Sequence, residues 1–148
     1  MQRILIADDH DFTRIGLAAV LGAAPGCMVV GEVRDGIAAV AAVERLRPDV
    51  LILDNHMPGL DGIEAARQVA GLKSACRIIM LTMSGHEACV RAAFRAGIRA
   101  YVLKGNAQAE IFAALDALAS GEAYLSPSLG EIDAVMRWLH DPDAEQPR

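Results

Sequence analysis

The stretch that decides the fold is VLILDNHMPG, residues 50–59, in which four aliphatic residues lead directly into an aspartate and then a turn. Four further short aliphatic runs occur along the chain, at residues 4–7, 28–33, 78–81 and 100–103. Nearly continuous apolar runs of this length are typical of strands that are buried on both faces. The sequence therefore predicts five buried strands.

The segments between these runs are rich in alanine and carry apolar residues at helical spacing. The clearest example is the set Ile111, Ala114, Leu115 and Leu118. Pro48 ends the second helical segment before the third strand, and Gly121 follows the last one. Five alternating strand and helix units predict an α/β fold with a parallel sheet, and right-handed crossovers place helices on both of its faces.

Composition excludes several functional classes. The chain has 148 residues, which suits one domain with a short tail, and 53% of them are hydrophobic. Its net charge is -5 and it has no cluster of basic residues, so we do not expect it to bind DNA unaided. The three cysteines lack metal-binding spacing, and they are interpreted as reduced thiols. Neither a membrane span nor a signal peptide is evident, so a soluble cytoplasmic protein is expected.

Polar side chains with related chemistry follow four of the five predicted strands. Asp8 and Asp9 follow the first strand, Asp54 the third, Thr82 the fourth and Lys104 the fifth. In an open parallel sheet, ligands bind at the carboxyl ends of the strands. The sequence therefore predicts that three carboxylates, a hydroxyl and an ammonium group converge at one edge of the sheet.

This combination predicts a site for phosphoryl transfer. Three crowded carboxylates stay ionised only beside a cation, and Mg²⁺ is the divalent ion that best fits oxygen ligands and phosphate. Lys104 adds positive charge, Thr82 can donate a hydrogen bond, and a carboxylate can itself accept the phosphoryl group. A single aspartate after a strand is more often a helix cap or turn residue, but the four strand ends together favour a site.

These residues resemble the receiver domain of bacterial response regulators. The resemblance covers residues 2–121, and it rests on Asp8-Asp9-His10, on the stretch at residues 54–62, on Thr82, and on Tyr101-Val102-Leu103-Lys104. The DDH opening, the AYVLK stretch and the GEAYLSP segment are most similar to the NarL/FixJ subfamily, which is also called LuxR-type. The resemblance implies a flavodoxin-like, doubly wound (βα)5 fold with a five-stranded parallel sheet.

The resemblance also implies a role for each acidic residue. Asp54 would accept the phosphoryl group and contribute to the Mg²⁺ site. Asp9 would bind Mg²⁺ directly, Asp8 mostly through water, and the backbone carbonyl of His56 would complete the protein ligands. His10 lies beside the acidic pair, where it either hydrogen-bonds to the cluster or leads the first helix at the surface.

A second group would form the conformational switch. Lys104 would pair with the phosphoryl oxygens, Thr82 would hydrogen-bond to the phosphoryl group and shift toward it, and Tyr101 would rotate between exposed and buried positions. His56 and Ser84, each two residues beyond a site residue, are candidates for tuning phosphoryl lifetime; His56 could equally be a solvated loop residue.

The end of the chain is predicted to differ from the rest. We expect a receiver domain at residues 1–121 and a linker segment at residues 122–148. Residues 122–130 lack helical spacing, after which Ile132, Val135, Met136 and Leu139 share one helical face with Trp138 beside it. This short helix is expected to end near Asp141-Pro142 and to precede a polar, loose tail. The favoured expectation is a helix-turn-helix output domain beyond this sequence; the alternative is a natural single-domain receiver.

Three functions compete. The favoured one is a signalling module that takes phosphoryl from a sensor histidine kinase, switches conformation, and controls transcription through dimerisation and an output domain that binds DNA. Such a module is not an enzyme with a separate substrate. The alternatives are a degenerate, phosphorylation-independent receiver, which the complete residue set disfavours, and a phosphohydrolase of the haloacid dehalogenase type. The hydrolase usually needs a second aspartate where this chain has His56.

Overall fold

A computed structural model describes residues 1–140 of the chain. Its strands form one parallel sheet in the order β2-β1-β3-β4-β5-β6. The strands are β1 (Gln2–Ala7), β2 (Cys27–Val33), β3 (Val50–Asp54), β4 (Arg77–Thr82), β5 (Ala100–Leu103) and β6 (Tyr124–Leu125).

Helices connect and cover these strands. They are α1 (Asp11–Gly22), α2 (Gly36–Leu46), α3 (Gly62–Gly71), α4 (Glu87–Arg95), α5 (Ala107–Ala119) and α6 (Ile132–His140). Two short 3-10 turns, Lys104–Asn106 and Pro127–Leu129, precede α5 and α6. The α/β class and the five predicted strand and helix units are confirmed.

Alternate residues of the central strands build two separate cores. Leu5 and Leu51 are fully buried in a core shared with α2, α3 and α4. Ile4 and Ile52 point to the opposite side and are buried in a core shared with α1 and α5. Successive side chains of a strand face opposite sides of a sheet, so these apolar runs bury both faces. The layered arrangement confirms the doubly wound fold.

Local signals place the helix ends that frame the sheet. The Asp35 carboxylate accepts a hydrogen bond of 2.7 Å from the Ala38 amide and so caps α2, while Asp61 accepts one of 2.8 Å from Glu64 and caps α3. Helix α2 ends at Leu46, and its C-cap residue Arg47 has a left-handed φ of 47° immediately before Pro48. These ends agree with the helix stop expected at Pro48.

The sheet has a sixth strand that the sequence pattern did not predict. Strand β6 lies within residues 122–130, which were expected to form a linker, and it pairs in parallel with β5. The Tyr124 amide donates to the Arg99 carbonyl at 2.9 Å, and the Ser126 amide donates to the Tyr101 carbonyl at 2.9 Å. A strand of two residues is too short to show a periodic pattern in the sequence. It is recognised only by its pairing with β5.

The predicted amphipathic helix near the end of the chain is α6. The apolar face expected for it is partly buried against the α2–α4 core, and Trp138 is its most deeply buried residue, with 4% exposed. The expected helix end near Asp141-Pro142 and the polar tail lie outside the described residues. Across residues 1–140, no helix combines the length and the apolar character that crossing a membrane requires.

Candidate functional site

The carboxyl edge of the sheet brings the predicted strand-end residues together. Asp8 follows β1, Asp54 ends β3, Thr82 ends β4, and Lys104 follows β5 in the 3-10 turn. Asp8, Asp54 and Thr82 are buried, with 1%, 2% and 0% exposed. The parallel pairing of neighbouring strands aligns these ends, as the sequence predicted.

Lys104 joins the two buried carboxylates. Its Nζ lies 3.1 Å from Asp8 Oδ2 and 3.3 Å from Asp54 Oδ2, although the two aspartates are on different strands. The Lys104 side chain is only 8% exposed. A buried ammonium group between two buried carboxylates forms strong electrostatic contacts, because the surroundings screen the charges poorly.

The acidic residues fit a divalent cation. Within residues 1–140, the carboxylate oxygens Asp8 Oδ2, Asp9 Oδ1 and Asp54 Oδ2 are buried and lack a hydrogen-bond partner, even though Lys104 and His10 lie at ion-pair distance. Donor atoms of Asp8, Asp9, His10 and Asp54 all lie within 4.8 Å of one another. Buried charged oxygens without hydrogen bonds are costly, and a hard cation would satisfy them.

The environment of Asp54 disfavours its ionised form. Burial raises the pKa of Asp54, and the neighbouring Asp8 charge raises it further. Lys104 opposes this rise, as does the backbone N–H of His56, which donates to Asp54 Oδ1 at 3.3 Å. The His56 side chain is exposed, so the contact that His56 makes with this carboxylate runs through its backbone.

His10 lies directly over the acidic cluster. Its Nδ1 is 3.1 Å from Asp8 Oδ1, 3.2 Å from Asp9 Oδ1 and 3.5 Å from Asp54 Oδ2, and it is 3.0 Å from Lys104 Nζ. His10 also stands immediately before α1 without capping it through its side chain. Of the two roles expected for His10, the contact with the acidic pair is therefore present. The adjacency of His10 to Asp8-Asp9 was the available sequence signal.

Arg14 is a site residue that the sequence analysis missed. It is 8% exposed, and its Nη1 donates to the Asp8 carbonyl at 2.9 Å. Its other nitrogens pair with Asp11 Oδ1 at 2.8 Å and with Glu32 Oε1 at 3.2 Å. Arg14 thus ties the turn that carries the acidic pair to α1 and β2. The spacing of three residues between Asp11 and Arg14 could be seen in the sequence, but the pairing of Arg14 with Glu32 of β2 could not.

The predicted switch residues form a connected set beyond β4. Thr82 Oγ1 accepts a hydrogen bond of 3.1 Å from the Ser84 amide, and the Tyr101 hydroxyl donates to the Ser84 carbonyl at 2.6 Å. Tyr101 is 1% exposed, so it occupies the buried one of its two expected positions. Burial is the main cause that raises the pKa of Tyr101 to about 12, so its hydroxyl remains protonated and able to donate.

The Ser84 side chain is turned toward α4. Its hydroxyl lies 3.5 Å from Cys89 Sγ and accepts a hydrogen bond of 3.3 Å from the His86 amide. The backbone of Ser84, through its N–H and its carbonyl, makes the contacts with Thr82 and Tyr101. A role for Ser84 in tuning phosphoryl lifetime stays a prediction.

Gly62 permits α3 to begin against the end of β3. A Cβ atom at this position would lie 2.7 Å from both the Asp54 carbonyl oxygen and the Asn55 Cα, distances that real side chains do not show. The Gly62 amide donates to the Asn55 carbonyl at 2.9 Å, which closes the loop after Asp54. Of the two glycines in the stretch at residues 54–62, Gly62 is therefore required by close packing of the backbone.

Known proteins are similar to this chain in sequence and in structure. Residues 4–116 match the family described as the response regulator receiver domain. The chain is 42% identical over 125 residues to the transcriptional regulatory protein LiaR of Bacillus subtilis, covering 84% of this chain and 59% of LiaR. It is 35% identical over 132 residues to the nitrate/nitrite response regulator protein NarL of Escherichia coli, covering 89% of this chain and 61% of NarL.

A solved structure shows the same likeness. The isolated receiver (REC) domain of RcsB from Salmonella enterica serovar Typhimurium, determined with the phosphomimetic BeF3⁻, matches with a TM-score of 0.79 and 32% identity. The match covers 86% of this chain and 95% of that domain. The chain spans about 60% of the length of the curated relatives named above. From the family match, the relatives and the fold, this chain belongs to the receiver domains of two-component response regulators, of the NarL/LuxR type.

Proposed function

We propose that Asp54 accepts a phosphoryl group and that this event switches the conformation of the domain. The observation that carries the proposal is the buried contact of Lys104 Nζ with Asp54 and Asp8, beside three carboxylate oxygens that lack hydrogen bonds. A structural cluster would satisfy its buried oxygens internally. In this cluster the three oxygens have ion-pair contacts with Lys104 and His10 but no hydrogen bond, which leaves them able to bind a cation beside a phosphoryl group.

The acidic cluster would hold Mg²⁺. Asp9, Asp54 and the backbone carbonyl of His56 would be direct ligands, and Asp8 would bind mostly through water. This assignment is supported by the oxygen-rich donor set and by the buried oxygens without hydrogen bonds. The chemistry that such an ion supplies is neutralisation of the charge on phosphoryl oxygens.

The transfer itself forms one bond and breaks one. An Asp54 carboxylate oxygen attacks phosphorus while the bond from phosphorus to the donor breaks, and the bonding electrons leave with the donor nitrogen or oxygen. The Lys104 ammonium, already 3.3 Å from Asp54 Oδ2, would stabilise the negative charge that spreads over the phosphoryl oxygens. The Thr82 hydroxyl would donate a hydrogen bond to one of these oxygens.

The new charge would then reorganise the switch residues. The phosphoryl group carries roughly -1.5 to -2 charges in place of the single charge of the Asp54 carboxylate, and this charge recruits Lys104 and Thr82. Because the Ser84 amide donates to Thr82 and the Ser84 carbonyl accepts from Tyr101, a shift of Thr82 is transmitted to Tyr101. His56 and Ser84 would tune how long the phosphoryl group survives.

The partners follow from the family. The phosphoryl donor would be a sensor histidine kinase, and phosphorylation would favour a homodimer. Transcription would be controlled through an output domain that binds DNA; LiaR, one of the relatives, is named a transcriptional regulatory protein. In this proposal, residues 1–121 are the receiver and residues 122–148 connect it to that output domain.

Intact-protein mass measures the proposed chemistry. The protein is incubated with acetyl phosphate, with and without Mg²⁺, beside Asp54→Ala and the control Asp61→Asn. Asp61 is an exposed acid of the same loop, and asparagine can keep its cap on α3. We expect the wild type and the control to gain one phosphoryl group with Mg²⁺, and Asp54→Ala to gain none.

Other outcomes would contradict the proposal. Failure with both acetyl phosphate and phosphoramidate would favour a phosphorylation-independent receiver. A gain that persists in Asp54→Ala would show that a different residue is the acceptor. Release of phosphate in large excess over protein would favour a hydrolase.

A further inference from the structure

The segment that follows α5 returns across the sheet edge and covers α4. Strand β6 adds to β5, the 3-10 turn Pro127–Leu129 follows, and α6 then packs against α4. Its root is firmly held, because the buried Ser126 hydroxyl accepts from the Leu103 amide at 3.0 Å and donates to Glu110 at 2.7 Å. Farther along the segment, the side chains of Leu129 and Trp138 make apolar packing and cation–π contacts.

Leu129 packs directly on the loop that follows Thr82. A Cβ atom placed on Gly85 would lie 2.6 Å from Leu129 Cδ2, so the Leu129 side chain occupies the space that any side chain at Gly85 would need. Gly85 follows Ser84, whose backbone bonds to both Thr82 and Tyr101. The segment therefore contacts the loop between the carboxyl end of β4 and α4.

Trp138 fixes α6 to α4 through two arginines. The guanidinium carbons of Arg91 and Arg95, one helical turn apart, each lie 4.8 Å from the centre of the Trp138 ring. Cations over an indole face are attracted by its π electrons, and desolvation strengthens the attraction. Trp138 is the single tryptophan of the chain, and it is almost fully buried here.

A cleft that is partly open to solvent separates part of the segment from α4. It has a volume of about 370 Å³ and lies between Gly85 and Val90 on one side and Leu129 and Val135 on the other. Side chains that line a cleft have no packing partners on that side, so α6 contacts α4 less extensively than a helix of the core would.

The geometry sets the direction of coupling to Asp54. In the sheet, β4 lies between β3, which carries Asp54, and β5, which carries β6 at its far side. If Thr82 moves toward a phosphoryl group on Asp54, the Ser84 amide that it holds moves in the same direction. Gly85 then moves away from Leu129, and the contact between them weakens.

We propose that Leu129 and α6, with Trp138 between Arg91 and Arg95, form a latch on the loop 83–85 and on α4, and that phosphorylation of Asp54 releases it. The proposal rests on the proposed function and adds the means by which that site would signal. Release frees α6 and uncovers the α4 surface. By thermodynamic reciprocity, a latched α6 also opposes occupancy of the phosphoryl site.

Trp138 fluorescence and intact mass are measured on the same sample of the full chain. Acetyl phosphate with Mg²⁺ is added to the wild type and to Asp54→Ala. We expect the phosphoryl gain to coincide with a shift of Trp138 emission to longer wavelength, as the ring becomes exposed to water, and neither change in Asp54→Ala. A phosphoryl gain with unchanged emission would overturn the latch and leave the proposed function standing. Absence of the phosphoryl gain would overturn the proposed function, and the latch with it.

A second measurement tests the reciprocal effect without relying on Trp138. Titration calorimetry with beryllofluoride, a phosphoryl analogue, and Mg²⁺ compares the wild type with Trp138→Ala and Leu129→Ala. We expect both variants to bind the analogue about fivefold more tightly, the lower end of usual coupling between sites. Arg137→Gln, on the exposed side of α6, is the matched control and should bind like the wild type. Unchanged or weaker binding in both latch variants would overturn the latch.

Discussion

Buried polar groups at the two ends of the sheet's carboxyl edge differ in whether they are hydrogen-bonded. At the β1–β3 end, carboxylate oxygens of Asp8 and Asp54 are buried without a hydrogen-bond partner. At the β5–β6 end, the buried Ser126 hydroxyl both accepts from the Leu103 amide and donates to Glu110, which also accepts from the Tyr124 hydroxyl at 2.9 Å. Both clusters are built from residues that are distant in sequence.

The difference separates a functional cluster from a structural one. Buried polar groups in folded proteins are hydrogen-bonded with few exceptions, and an exception calls for an explanation. The Ser126 cluster follows the rule and holds β6 and α5 together. The acidic cluster departs from it, and the ion-pair contacts with Lys104 and His10 offset part of the cost of burying these oxygens. Three substitutions test this contrast.

Lys104→Met should have the largest effect on stability. It leaves the buried Asp8 and Asp54 carboxylates without their ammonium partner, and breaking a buried ion pair costs about 3–5 kcal/mol. We expect a loss of about 3 kcal/mol, because His10 Nδ1 still contacts both carboxylates. Urea unfolding at pH 7 without Mg²⁺ measures it. The exposed Lys73→Met is the control, and an equal loss in the two variants would contradict the assigned role.

Ser126→Ala should have an intermediate effect that is confined to stability. The Leu103 amide loses its acceptor and Glu110 loses a donor, and an unsatisfied buried group costs about 1–3 kcal/mol. Thermal unfolding measures this loss against Ser128→Ala, an exposed serine two residues away. Phosphoryl uptake, measured by intact mass, should remain complete. A variant that unfolds normally but cannot be phosphorylated would show that the two ends are not separable.

Asp54→Asn should have the smallest effect, and it should be stabilising. The pKa of Asp54 is raised by burial and by Asp8, so the folded state binds a proton more readily than the unfolded chain. Ionised Asp54 therefore costs stability at pH values above the raised pKa, and this cost vanishes below the ordinary carboxyl range. At pH 7 without Mg²⁺ we expect the melting temperature to rise by about 2–4 °C, the shift that 1 kcal/mol produces in a domain of roughly this size.

The pH and metal dependence provide the controls for Asp54→Asn. Its advantage should shrink as the pH falls from the raised pKa of folded Asp54 to the ordinary carboxyl range, below which the wild-type carboxyl is protonated in both the folded and the unfolded states. Mg²⁺ should stabilise the wild type more than the variant, since a ligand stabilises the state that binds it. Calorimetric melting with and without Mg²⁺ measures both trends. A wild type that is more stable than the variant in the absence of metal would contradict the comparison.

Much of this protein could be predicted from its sequence. The aliphatic runs predicted β1 to β5 because strands buried on both faces need apolar residues at every position. The strand-end rule then placed Asp8, Asp54 and Lys104 at one edge, and the structure puts Lys104 Nζ within 3.3 Å of both aspartates. This inference worked because it requires only the strand order along the chain and the parallel direction of the sheet.

Contacts between distant segments were decided by tertiary structure. Strand β6 has two residues, so only its pairing with β5 identifies it. Arg14 was not predicted as a site residue, because its contacts with the Asp8 carbonyl and with Glu32 exist only in the folded chain. The amphipathic pattern of α6 indicated that its apolar face is buried. The position of Trp138 against Arg91 and Arg95 depends on the path that the chain takes after β6. Periodicity reports which face of an element is buried, whereas the partner of that face depends on the path of the whole chain.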